Sequence, residues 1–200
     1  MEHDAIGSRT LDGFCAEVRT RYAATWPPPE TVLVQEFFAY FGGAGHMGSF
    51  ENLARFCSGI GIDVSTAALP DEMRGCNYWH AGRRAIAVAH GPAFIISGEH
   101  TVFHELRELL EYVFQEVGHP TIPVTALEAQ AEAFAVHARM TVVVETSTYL
   151  LDRAQSLRSP WRRLCAFGLV GLGAVAALVG CALVSQLEDR LDTQRSTVPT

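Results

Sequence analysis

Residues 98–117 read GEHTVFHELRELLEYVFQEV, and residues 126–140 read ALEAQAEAFAVHARM. In the first stretch Val102, Phe103, Leu106, Leu109, Leu110, Val113 and Phe114 recur at spacings of three and four. That period predicts an amphipathic helix from about Gly98 to Val117, ended by Gly118, Pro120 and Pro123. Thr125 is expected to cap a second long helix that runs to about Arg153. Its β-branched middle, Thr141-Val142-Val143-Val144, favours a helix least.

Working outward toward the N-terminus, the patterning predicts three shorter helices and then a small sheet. Thr10 to about Thr25 has a loose helical period and stops at Trp26-Pro27-Pro28-Pro29. Glu30–Phe41 is apolar and aromatic up to Gly42-Gly43, and Ser49 can cap a helix with Phe50, Leu53, Ala54 and Cys57 on one face. Ile60–Val64, Cys76–His80 and Ala85–Ala89 are short apolar or aromatic runs punctuated by Pro70, Gly75 and Gly82, which reads as strands. Phe94-Ile95-Ile96 reads as one more short run, closed by Ser97-Gly98. The expected class is α+β, mostly helical with a small β-sheet.

The chemistry concentrates in the two long helices. His104 and Glu108 are four apart and stack on one helix face, so both can grip one metal ion. Glu105 lies about 100° around the helix, close enough to hold water beside that metal. This is the logic of the HExxH zinc peptidases with a carboxylate for the second histidine. Glu99, Glu111 and Glu116 extend the same acidic run, so the spacing by itself also fits a solvated face. A third ligand must come from another element, and Glu128 and Glu132 again stand four apart at the start of the next helix. One can ligate while the other braces His104; both would also favour a helix N-terminus electrostatically. No GxSxG, GxxxxGK[ST] or GxGxxG occurs, and Gly42-Gly43-Ala44-Gly45-His46 reads as a connector.

Taken together, HELRE at 104–108 and EAQAEAFA at 128–135 resemble the ImmA/IrrE metallopeptidases, whose pattern is HELGH followed by ExEA(N/D)xFA. LARFCSGIGIDVSTAALPDEMRGCNYW at 53–79 and RRAIAVAH at 83–90 resemble that family's upstream helix and strands, so the likeness covers roughly residues 50–140. The resemblance implies a zincin-like domain in which His104 and Glu128 bind zinc and Glu105 is the general base. It sets Glu108 in the place of the second ligand histidine and Glu132 in that of an Asn or Asp beside the ligands. Manganese or iron is the other metal such an oxygen-rich set admits. His100, one turn before His104, is open to packing, substrate contact or substitute ligation. Arg107 replaces the family's glycine; it either neighbours the site or reaches Glu111 at i+4.

Leu164–Leu187 (LCAFGLVGLGAVAALVGCALVSQL) carries no charge over 24 residues. As a helix it would be about 36 Å long, enough for a hydrocarbon core of about 30 Å. Arg153, Arg158, Arg162 and Arg163 precede it, so the positive-inside rule puts the N-terminal part in the cytoplasm. Met1–Asp12 has no apolar core of a signal peptide. The expected organisation is an N-terminal helical segment (1–48), a metallopeptidase-like domain (49–158), a single transmembrane helix (162–187) in the lipid bilayer of the cell membrane, and a short outer tail (188–200). The net charge of −7, with all fifteen cations Arg, argues against direct nucleic-acid binding. Five scattered cysteines without a CxxC pair fit reduced thiols. The expectation is a membrane-anchored zinc metalloendopeptidase that cleaves a regulatory protein substrate on the cytoplasmic side, as the resemblance implies a helix-turn-helix repressor. The alternative is a catalytically weak module that senses metal or binds a partner.

Overall fold

The computed structural model describes residues 9–155 apart from 46, 91–93 and 119, together with 168 and 171. The chain divides into two units, 1–142 and 143–200. The first unit carries an α+β fold. Its helices are α1 (Leu11–Arg21), α2 (Glu30–Phe41), α3 (Phe50–Gly59) and α4 (Phe94–Glu116). Its strands are β1 (Ile62–Ala67), β2 (Gly75–His80) and β3 (Arg83–Ala89). The last helix, α5 (Val124–Gln155), begins in this unit and continues past Val142.

Local chemistry explains most of the boundaries. The Thr10 hydroxyl accepts from the Gly13 amide and the Ser49 hydroxyl from that of Asn52, so each satisfies an amide that a helix start leaves unpaired. Gly42, at φ +92°, turns the chain out of α2 in the left-handed conformation that a side chain disfavours. β2 and β3 form a hairpin whose two turn residues, Ala81 and Gly82, both have positive φ, matching the twist of the strands.

Four boundaries depart from the sequence reading: α1 stops at Arg21 rather than near Thr25, β1 runs Ile62–Ala67 rather than Ile60–Val64 because Ile60 still caps α3, and the starts of α4 and α5 shift. Phe94-Ile95-Ile96 is no separate run; it is the first turn of α4, which therefore starts four residues before Gly98. Three consecutive apolar residues fit a strand or a buried helix turn equally, and periodicity cannot separate them. Thr125 is not a cap either. α5 starts at Val124, and the Pro123 carbonyl accepts from the amides of Ala126 and Leu127. Proline suits that flanking position because its missing N–H has no partner to lose there. The β-branched run at 141–144 leaves α5 unbroken, and the Thr141 hydroxyl donates to the His137 carbonyl one turn back.

The sheet order is β1-β3-β2, with β1 parallel and β2 antiparallel to the central β3. Ala85–Val88 are buried, as a central strand requires, and α4 packs on β2 and β3. An aromatic core of Phe14, Phe37, Phe41, Phe56 and Phe134 joins α1, α2, α3 and α5, its rings mostly edge-on or tilted at 4.8–6.0 Å. Leu106, Leu110, Val113 and Phe114 bury the other face of α4 in the same core. α4 is thus packed between sheet and helices, and the stripe with His100, His104 and Glu108, flanked by Thr101 and Glu105, meets a cleft. The apolar segment 162–187 lies outside the described residues except for 168 and 171. No helix among the described residues is long and apolar enough to cross a membrane.

Candidate metal centre

The cleft, about 470 Å³ in volume, lies between α4, the first turns of α5 and the segment leading into β2. His104 and Glu108, half-buried, and the exposed Glu128 meet in it, with one donor atom from each within 4.8 Å of the others. His104 Nε2 stands 3.8 Å from Glu108 Oε1 and 3.4 Å from Glu128 Oε2. Ligand atoms about 2.0–2.1 Å from a tetrahedral ion are roughly 3.3–3.4 Å apart, so the set closes on one cation with small side-chain movements. One imidazole and two carboxylates are competent donors for it. Helix period supplies the His104–Glu108 pair; the packing of α5 supplies Glu128.

Glu132 goes elsewhere. Its Oε2 is hydrogen-bonded to His100 Nε2 at 2.9 Å and lies 3.7 Å from His104 Nδ1, the ring nitrogen not turned to Glu108 and Glu128. His100 is thereby committed to Glu132, and its ring is not among the converging donors. Burial pushes Glu132 up, but the two histidines outweigh it and hold the carboxylate far below its ordinary range. His104 is displaced the other way. Burial disfavours its charged form, yet Glu132, Glu105, Glu108 and Glu128 together raise it above the usual histidine range. A group that must be neutral to ligate is thus surrounded by carboxylates that a cation would neutralise.

Glu105 is buried beside the triad, one position along from His104. Burial first, and then the Glu108 carboxylate, push it up to about 7 against the pull of an Asn77 hydrogen bond. Glu108 is raised as well, chiefly by burial. Asn77 joins them. Its Nδ2 donates to Glu105 Oε2 at 3.0 Å and to Glu108 Oε2 at 2.8 Å, leaving the second oxygen of each carboxylate free of that amide. Gly75, two residues earlier on the same face of β2, lets the strand approach this closely. A Cβ there would lie 2.5 Å from Thr101 Cγ2 and 2.9 Å from Glu105 Oε1.

Asn77 is the site residue the sequence reading missed. The period of two in β2 puts 75, 77 and 79 on one face, but nothing local tells that this face meets α4. Arg107 is placed by the second of its two expected options. It is 1% exposed and points away from the cleft, donating to Glu30 at 3.0 and 3.1 Å, Glu111 at 3.2 Å and Gln130 at 2.6 Å. The cation therefore ties α2, α4 and α5 together and leaves the triad's field to its own carboxylates. Comparison of the chain with known protein families, with curated proteins and with solved structures finds no match.

Proposed function

We propose that the chain is a zinc-dependent metallopeptidase of the ImmA/IrrE type, anchored in the membrane and acting on a regulatory protein, such as a helix-turn-helix repressor, at the cytoplasmic face. One observation carries the reading: three groups able to ligate, from two helices, converge beside the buried Glu105 carboxylate. Burial raises that carboxylate and a cation at the triad would lower it again, which leaves an ionised base at neutral pH. His104, Glu108 and Glu128 would hold the zinc, which would supply Lewis acidity toward a carbonyl and water. Glu105, oriented by Asn77, takes the proton from water and returns it to the leaving amine nitrogen. Glu132, hydrogen-bonded to His100, lies 3.7 Å from His104 Nδ1, where it favours the orientation that leaves Nε2 for the metal. Zinc analysis of the purified full-length chain tests the reading. His104→Ala and Glu128→Ala are expected to lose the metal and peptide hydrolysis together, and a wild-type chain that takes up no divalent ion ends the hypothesis.

The second reading, a metal sensor with little activity, draws support from Glu108. Two carboxylates formally cancel the charge of a divalent ion, which weakens its acidifying effect on water. Glu108→His restores one unit of charge and a nitrogen donor. It is expected to tighten zinc and to move hydrolysis to lower pH, read by metal competition and by a pH–rate profile. Unchanged affinity in that variant, with loss of metal in His100→Ala, would move the centre one turn earlier on α4.

The anchor rests on the uncharged run Leu164–Leu187 and the Arg cluster before it. A reporter joined after Thr200 is expected outside the cytoplasm and one joined before Met1 inside, with the full chain resisting alkaline extraction. Release of the full chain into the soluble fraction contradicts the anchor.

A further inference from the structure

A second cavity of about 200 Å³ lies along the outer part of β2, between the strand and α4. It shares Asn77 and Tyr112 with the cleft of the metal centre, so this outer trough adjoins the cleft at those residues. Trp79 and Tyr112 line it and are 63% and 55% exposed, far more than large aromatic side chains usually are. Trp79 is nonetheless held in place. The Arg84 guanidinium lies 5.5 Å from its ring centroid and is itself fixed by Asp12 at 2.9 Å and Glu116 at 3.2 Å. The outer trough is aromatic, and Arg84, the cation among its lining residues, is already paired with two carboxylates.

We infer that this trough is a specificity subsite for an extended peptide, taking a large apolar side chain two to three residues from the bond over the metal centre. The inference rests on the peptidase reading for its direction and adds the substrate class. Asn77 sits against Glu105 and Glu108, and Trp79 follows two residues later on the same face of β2, roughly 6.6 Å along at about 3.3 Å per residue. An extended peptide has the same rise, so a residue two positions from the scissile bond falls over Trp79. The aromatic faces favour an apolar group there. The paired Arg84, flanked by Asp12 and Glu116, offers no free positive charge to an acidic one.

The test uses the full-length chain with chelator present, so that neither metal nor catalysis contributes. Binding of fluorescein-labelled Gly-Ser-Phe-Ser-Gly is compared by polarisation with the same peptide carrying Ser or Asp in place of Phe. The Phe peptide is expected to bind about tenfold tighter than either, a difference of about 1.4 kcal/mol. Trp79→Ser and Tyr112→Ser, both at exposed positions, are expected to bring the three peptides within about twofold. Equal binding of the three peptides to the wild-type chain overturns the inference, as does discrimination that survives both substitutions. Concentration-dependent dimerisation lost in Trp79→Ser, without peptide discrimination, also overturns it and gives the trough to a second copy of the chain. Discrimination in a chain that takes up no divalent ion supports the subsite and overturns the peptidase reading alone.

Discussion

Replacing Arg107 by methionine is expected to cost about 3–5 kcal/mol of stability, because it leaves buried carboxylates without their cation. Arg107 is 1% exposed, and the side chains of Glu30 and Glu111 that it joins are 9% and 1% exposed. Glu111 Oε1 already lacks a hydrogen-bond partner among the described residues, so it has no second donor to fall back on. Thermal unfolding of wild type and variant checks the expectation, with a fall of roughly 10 °C or more for a unit of this size. The pH dependence gives an independent sign. Burial raises the Glu30 carboxyl, and Arg107 pulls it down. Without Arg107 it rises further, so the folded form holds that proton more tightly than the unfolded chain does. The Glu30 part of the deficit is then fully present above the variant's raised value, shrinks as pH falls through it, and is gone below the value Glu30 has in the wild-type chain, itself above that of the unfolded chain. Adding Glu30→Gln and Glu111→Gln to the variant is expected to recover most of the loss. A cost under about 1 kcal/mol would mean that the network contributes little to the fold.

Glu105→Gln is expected to keep the metal and to lower peptide hydrolysis by about 10²–10⁴-fold, the range associated with a positioned general base. Glutamine is nearly isosteric, and its carbonyl oxygen can still accept from Asn77, so the cleft keeps its shape. What is lost is the ability to take a proton. In the wild-type chain hydrolysis is expected to rise with pH as Glu105 ionises. Without metal that step lies near 7; a cation at the triad favours the carboxylate and moves it lower. Metal content by elemental analysis and a pH–rate profile of both proteins check the assignment. Loss of metal in Glu105→Gln to the same degree as in His104→Ala would make Glu105 a ligand and leave the base unassigned.

Most of the secondary structure was legible because its signals are local. Thr10 and Ser49 cap their helices through their own hydroxyls, and Gly42 ends α2 through its own φ. The strands followed from short apolar runs set off by turn residues. The two misplaced helix starts, at Phe94 and Val124, are positions where a residue's side chain fits two local states and neighbours beyond the chain segment choose between them.

The sequence by itself determined that His104 and Glu108 share a helix face, that Glu105 stands beside them, and that Glu128 and Glu132 share another, because each pair obeys a period fixed by the helix. Tertiary structure decided the rest. Glu128 and Glu132 are equivalent in spacing; only the packing of α5 on α4 sends the first to the triad and the second to His100. Only the approach of β2, allowed by Gly75, brings Asn77 between Glu105 and Glu108 across 28 and 31 residues of chain. Arg107 finds Glu30 across 77 residues for the same reason. A period reports which side chains leave an element together, whereas their partners are set by how several elements bury their apolar faces at once, and that information is spread over the whole core.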